Sequence, residues 1–257
     1  MFTPAPAVGR FLVAAPGWLG RMPPMTEIRP VAHARTDFPA KFGIPRQAGL
    51  VPELVARIVF VPEFRTPDAV RGIDGFSHLW LVWGFSGVER DGWSPVVRPP
   101  RLGGDVRVGV FASRSPFRPN GLGLSSVRLL AVESDAAGAP ELVVGGADLM
   151  DGTPIYDIKP YVAADVHPDA ALGFTTTNAD YGVEVDLPDA LAALVPPDKL
   201  AALVGVLAQD PRPAVGRDPE RVHGVAFAGL NVRFRVAEGV LHVVAVEPLA
   251  DAGGPAT

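Results

Sequence analysis

The 257-residue chain contains no cysteine, which removes disulfides, thiolate metal sites, iron–sulfur clusters and a cysteine nucleophile together. Histidine is scarce as well: five residues, all well separated, offer little for a metal. No run of about 18 apolar residues occurs, so no transmembrane helix is expected. Phe11 to Leu19 is apolar but short, is interrupted by Pro16 and follows a single Arg, which makes a poor signal peptide. Two nucleotide signatures are also missing. No Gly-x-Gly-x-x-Gly follows a leading strand, and there is no Gly-x-x-x-x-Gly-Lys-Ser/Thr loop. A nucleotide-like cofactor has to be held in another way.

What is abundant is backbone punctuation. With 28 Gly and 28 Pro, about a fifth of the chain shapes turns, which argues against a helical bundle. Yet 48% of the residues are hydrophobic and 20% charged, too apolar for a disordered protein. The net charge of −5 hides an asymmetry. Residues 41–128 hold twelve basic residues, eleven of them Arg, against seven acidic, whereas residues 129–257 hold seven basic against nineteen acidic. A basic working half joined to an acidic half is expected, and the Arg bias suits phosphate or carboxylate.

The apolar runs Val55–Val61, Leu79–Phe85, Val106–Phe111, Val127–Val132 and Leu142–Val144 are short, rich in β-branched residues and bounded by Gly or Pro. They predict a largely antiparallel sheet or barrel. A first strand is expected at Thr26–Val31 and a short helix near Pro67–Val70. Residues 165–188 read as a linker. Helix is predicted from Asp189 to Gln209, bent at Pro196-Pro197 and capped again by Asp198, followed by strands at 225–227, 231–236 and 240–246 with a Glu238-Gly239 hairpin turn. The resulting division is a disordered extension at 1–24, a β-barrel domain at 25–165 and a small α+β domain at 166–257.

Four clusters carry candidate chemistry. Phe42 to Leu50 sets Arg46 and Gln47 side by side between glycines, able to fork a carboxylate or meet a polar edge, or simply to form a surface turn. Gly72 to Leu81 brings His78 to the mouth of an apolar strand, as a ligand, a base or a satisfied core residue. The third runs from Arg98-Pro99-Pro100-Arg101-Leu102-Gly103-Gly104 through Arg114-Ser115-Pro116-Phe117-Arg118-Pro119-Asn120-Gly121. A loop stiffened by Pro and presenting Arg and Asn lowers the ordering cost of binding. The fourth, Asp148 to Tyr161, gathers carboxylates that suit ribose hydroxyls, a metal or a proton.

Together, Pro45-Arg46-Gln47, Phe76-Ser77-His78-Leu79-Trp80, the Arg98–Gly104 run, Gly109 to Asn120, and Asp151-Gly152-Thr153-Pro154 with Asp157 to Tyr161 resemble the TsaA/TrmO-like family over about residues 27–250. Leu207 to Ala214 and Asn231 to Phe234 extend the resemblance into the C-terminal region. It implies a non-Rossmann β-barrel methyltransferase that uses S-adenosyl-L-methionine, without a metal, on N6 of threonylcarbamoyladenosine beside the tRNA anticodon. A cytoplasmic homodimer meeting the anticodon stem-loop is implied too. By the same matching, Pro45, Arg46, Gln47, His78, Leu79, Arg114, Leu124, Asp148, Leu149, Met150 and Asp151 contact the cofactor. For the chemistry itself, Asp151, Asn120, His78 and Tyr156 are candidates, with Asp148 and Asp157 as further proton acceptors. Arg118, Arg101, Lys159 and Arg212 are expected on the substrate or tRNA. Two departures stand out: Gly121 where Pro is frequent, and Val215 where an aromatic commonly follows Arg-Pro-Ala. A cofactor-sensing module or a small-molecule methyltransferase is the competing expectation.

Overall fold

The computed structural model describes residues 27–87, 92–99, 106–176, 181–213 and 218–250. The expectation for residues 1–24 and the one for Arg101 lie outside these.

Six strands close a barrel: β1 (Ala32–Arg35), β2 (Val55–Phe60), β3 (His78–Gly84), β6 (Leu122–Ser134), β7 (Pro140–Gly145) and β8 (Pro154–Pro160), in the order β1-β2-β7-β6-β3-β8. Each neighbouring pair is antiparallel, and β8 returns to β1. Closure removes the open sheet edges that would otherwise invite foreign pairing. Period-two alternation sends Ala56, Ile58 and Phe60 of β2 and Leu79 and Leu81 of β3 inward, where they meet Val127, Leu142, Val144 and Ile155. Each large apolar side chain removed from water contributes about 1.5–3 kcal/mol, and this cluster forms the barrel's core.

Outside the barrel, β4 (Val96–Val97) pairs with β5 (Val108–Gly109). The strand expected over Val106–Phe111 therefore shrinks to two residues. Past Gly109 the chain turns into a 3-10 segment, Val110–Ala112, in which Val110 is buried while Phe111 is 74% exposed. Alternation existed in the sequence, but there is no inner sheet face for it to cover. The first strand also sits later than expected, because Pro30 has no N–H to give and the ladder with β2 begins at Ala32. The turn near Pro67–Val70 is a 3-10 helix.

The C-terminal part is a four-stranded sheet, β10 (His223–Phe227), β11 (Leu230–Ala237), β12 (Val240–Pro248) and, parallel to β12, β9 (Glu184–Asp186). β9 comes from the stretch read as a linker. Two helices, α1 (Asp189–Ala192) and α2 (Pro197–Ala208), flank the predicted proline break. Pro196 is the cap position of α2 and Asp198 lies in its first turn, so its carboxylate complements the helix dipole instead of capping. The Glu238-Gly239 turn has both residues at positive φ, as a tight hairpin demands.

A second hydrophobic cluster joins Leu203, Val206 and Leu207 of α2 to Val225, Phe227, Val232, Phe234 and Leu241 of the sheet. It also contains Phe38, Val51 and Leu54, which come from the long connection between β1 and β2.

Candidate active site

At one rim of the barrel lies a cavity of about 430 Å³, within the range of small-molecule and cofactor sites. Three pieces of chain build it. The β1–β2 connection supplies Lys41, Ile44, Pro45, Arg46 and Gln47, the end of β3 and the residues after it supply Trp83 to Gly87, and the loop before β6 supplies Ser113, Arg114 and Arg118. Leu122, Gly123, Leu124, Asp148, Met150 and Thr153 complete the wall.

Two hydrogen-bond systems fix its polar groups. Arg114 donates from Nη1 to Oε1 of Gln47 at 2.6 Å, and Gln47 donates from Nε2 to the Arg46 carbonyl. This ties the two polar loops together across 67 residues of sequence. In the second system, Trp83 Nε1 donates to Ser125 Oγ (3.0 Å), which donates to Asp148 Oδ1 (2.6 Å). Burial pushes the Asp148 carboxyl above its ordinary value, against the hydrogen bond from Ser125, backbone N–H groups including that of Ala48, and the charge of Arg114. Ser125 is 1% exposed, so a polar relay runs inside the barrel wall.

The loop from Ser113 to Arg118 is braced by its own side chains. Ser113 Oγ donates to the Val110 carbonyl, the Ser115 and Phe117 amides return to Ser113 and Ser115 hydroxyls, and Arg118 Nη1 donates to the Ser113 carbonyl at 2.8 Å. Arg118, expected to meet substrate, thus spends part of its guanidinium holding the loop in shape. Below the cavity the broader groove, about 1440 Å³, is lined by Arg98, Arg107, Phe111, Pro116, Phe117 and Phe174. Arg46, Gln47, Phe85, Ser113 and Arg114 line both spaces.

Of the sequence-predicted residues, Pro45, Arg46, Gln47, Arg114, Arg118, Leu124, Asp148 and Met150 line the cavity. Several others are elsewhere. Leu79 and Leu149 are 0% and 1% exposed in the barrel core, Leu79 through the inward alternation of β3 and Leu149 from the loop after β7. His78 begins β3 at the end opposite Gly84, about 20 Å away at ~3.3 Å per residue. It is hydrogen-bonded to Ser77 and near Tyr161. Asp151 accepts the Thr36 amide and lies 3.5 Å from Arg35, and so works as a junction between β1 and the loop before β8. Asn120 is exposed and is not a lining residue. Tyr156 packs under Gly84, where an added Cβ would come within 2.8 Å of its hydroxyl. Lys159 is paired with Asp157 at 2.8 Å on the outer surface of β8. Arg212, expected on the substrate or tRNA, makes two hydrogen bonds to Asp210 with its side chain 9% exposed, an internal ion pair.

Sequence reasoning missed the lining residues Lys41, Ile44, Trp83 to Gly87, Ser113, Leu122, Gly123 and Thr153, and Ser125 behind them. A signal did exist: Gly123 and Gly84 are the small residues that admit Trp83 and Tyr156, since a Cβ at Gly123 would collide with the Trp83 ring. Among the described residues no group of three or more His, Asp or Glu is gathered for a metal. Nor is any described helix long and apolar enough to cross a membrane.

Residues 33–165 match the tRNA-methyltransferase O N-terminal domain, and residues 188–249 match the TrmO C-terminal domain. The chain belongs to the TrmO family. It is similar to the tRNA (adenine(37)-N6)-methyltransferase of Escherichia coli strain K12, 39% identical over 223 residues, 83% of this chain and 94% of that protein. The protein of the same name from Eikenella corrodens is 47% identical over 173 residues, 66% of this chain and 97% of the relative. The crystal structure of TrmO from Pseudomonas aeruginosa superposes with a TM-score of 0.68 at 33% identity, covering 86% of this chain and 98% of that one. The TrmO N-terminal match contains every residue that lines the barrel cavity.

Proposed function

We propose that this chain transfers a methyl group from S-adenosyl-L-methionine to N6 of adenosine 37 in tRNA, and that the acceptor is the threonylcarbamoylated base. The observation that carries this reading is the continuity of the barrel cavity with the Arg-lined groove through Arg46, Gln47, Phe85, Ser113 and Arg114. One space suits a cofactor and the other a nucleic-acid strand.

The residues present fit the cofactor. Its carboxylate matches the Arg46, Gln47 and Arg114 group, and its apolar and aromatic parts match Trp83, Leu122, Leu124 and Met150. When bound, S-adenosylmethionine supplies a methyl group already activated by its positive sulfur. The chain's part is to align the acceptor and exclude water, which positioning alone rewards with up to about 7–11 kcal/mol. The ureido N6 must lose its proton as it attacks. We assign that proton to Asp148, the carboxylate among the described lining residues, whose burial makes it a better acceptor than a solvated one.

The groove takes the anticodon loop. Arg98 and Arg107 meet phosphates, and exposed Phe111 offers a face on which an unpaired base stacks. The cytoplasm is the setting and a homodimer the working form in this reading; sedimentation at micromolar concentration checks the latter.

The deciding experiment supplies labelled cofactor with tRNA carrying threonylcarbamoyladenosine, and the same tRNA without it, then weighs the nucleosides. Methyl gain on the modified base alone supports the full reading. Gain on neither refutes the activity, and gain on plain adenosine refutes the acceptor.

A further inference from the structure

The β1–β2 connection, residues 36–54, carries the Pro45-Arg46-Gln47 tip into the cavity, yet much of its own packing is with the C-terminal sheet and α2. Phe38, 1% exposed, packs at a tilt against Phe227 of β10, ring centroids 5.2 Å apart. Its neighbour Asp37 accepts Lys199 Nζ of α2 at 2.7 Å, and the Asp37 carbonyl accepts the Ala228 amide at 2.9 Å. Ala228 sits at φ 50 to turn β10 into β11, so a strained residue faces this contact. Further on, Gly43 lies so close to Val225 that a Cβ there would approach its Cγ1 to 2.7 Å, and Val51 fits against Gly205 in the same way at 2.6 Å. Ile44, directly before Pro45, lines the cavity and also packs on the C-terminal core.

The barrel side holds this segment at Thr36 and Phe38, whose carbonyl accepts the Asp151 amide, and again from Gln47 onward, where Gln47 accepts Arg114 and the Ala48 N–H bonds to Asp148. Thr36 bonds to Leu149 and Asp151, and Gly49 and Leu54 bond to Gly146. Between Phe38 and the 45–47 tip, Phe42 and Ile44 pack on the other core, while Ala48 packs on the barrel core.

We propose that the C-terminal region positions the cofactor-binding loop of the barrel, with the Lys199–Asp37 ion pair and the Phe38–Phe227 contact setting where Pro45, Arg46 and Gln47 stand. Lys199 and Phe227 are positioning residues in this scheme, acting through residues 37–44. The inference rests on the assignment of residues 45–47 to the cofactor.

Titration calorimetry of the full chain with S-adenosylmethionine alone tests it. Lys199→Met is expected to weaken binding about 5- to 10-fold, a typical coupling between linked sites, with the change falling on the cofactor KM and not on kcat. Lys199→Arg keeps the ion pair and restores affinity. Asp37→Asn, nearly isosteric, gives the same loss and carries the test should Lys199→Met not fold; the double variant adds nothing further, as expected for two partners of one interaction. Val243→Ala removes a buried side chain of the same core through β12. It should lower the melting temperature and leave cofactor affinity in place. Parent-like binding by Lys199→Met and Asp37→Asn overturns the proposal, as does an equal loss of affinity in Val243→Ala. Gln47→Ala separates the two layers of the argument. If it binds cofactor normally, the loop assignment itself fails; if it binds weakly while the Lys199 and Asp37 variants do not, only the positioning scheme fails.

Discussion

At its first residue β3 presents His78, exposed and hydrogen-bonded to Ser77, with Trp80 close behind and bonded to Asp165. At its last residues the same strand presents Trp83 and Gly84 to a cavity that also holds Arg114 and Asp148. Both ends combine an aromatic ring with a polar neighbour, and in sequence the histidine end looks the richer. What separates them is the company that barrel closure brings. At the Gly84 end three loops converge from β1–β2, from before β6 and from after β7; at the His78 end the partners are Arg128 across the ladder and Tyr161. A polar residue becomes a site through convergence, and its own chemistry is only a precondition.

Substitutions at the two ends are the means of breaking this comparison. The largest effect is expected from Asp148→Asn, which should lower methyl transfer by about 10²–10⁴-fold, the usual contribution of a positioned base. Its pH behaviour sharpens the point. With the folded pKa raised above the unfolded one, activity in the parent should fall as pH drops through that raised value, and Asp148→Asn should lose this acid limb. The stability sign is the reverse of that of an ion-paired carboxylate. The folded state keeps a proton that the unfolded chain has released, so this group's contribution declines as pH rises from the ordinary carboxylate value to the raised one. In urea titrations of parent and Asp148→Asn across that window, the stability of the parent relative to the variant should decline as pH rises.

Next in size, Arg114→Ala removes the charge-assisted bond to Gln47 and should weaken cofactor binding about 10- to 100-fold, in line with ~1.5–3 kcal/mol for such a bond, with an unchanged circular dichroism spectrum. Phe111→Ala should weaken tRNA binding by about 1–3 kcal/mol, the value of a base stacked on an aromatic ring, while leaving cofactor affinity alone. The smallest effect belongs to His78→Ala, expected within about twofold of parent turnover because surface substitutions away from a site rarely exceed ~0.5 kcal/mol. A hundredfold loss there would reverse the ranking of the two ends.

Much of the fold was legible because it is locally encoded. β2, β3 and β7 fall on runs of β-branched and apolar residues, and Glu238-Gly239 announced its hairpin through glycine's tolerance of positive φ. The matching turn at Ala228-Gly229 was not announced, since alanine is no signal for φ > 0; the bond from its amide to Asp37 is a tertiary fact. Leu79 and Leu149 each sit inside a motif that contains cavity-lining residues, yet their own side chains are buried in the barrel core, a fact that only the tertiary structure reveals. The partner of Arg212 was not legible because charge alone does not reveal that Asp210, two residues away and 1% exposed, pairs with it.

By itself, the sequence determined that the protein is a β-rich, cysteine-free chain with a basic middle and an acidic end, that Arg114 and the Pro45-Arg46-Gln47 run are its unusual features, and that helix breaks at Pro196-Pro197. Those properties follow from side-chain chemistry, period and backbone restrictions over a few residues. Tertiary structure alone decided which end of β3 opens onto a cavity, that Ser125 links Trp83 to Asp148, and that Phe38 belongs to the core of β10 and α2. These pairings join residues tens to hundreds of positions apart. The geometry that selects them, the closure of six strands and the threading of one loop between two cores, has no counterpart in any local stretch of the chain.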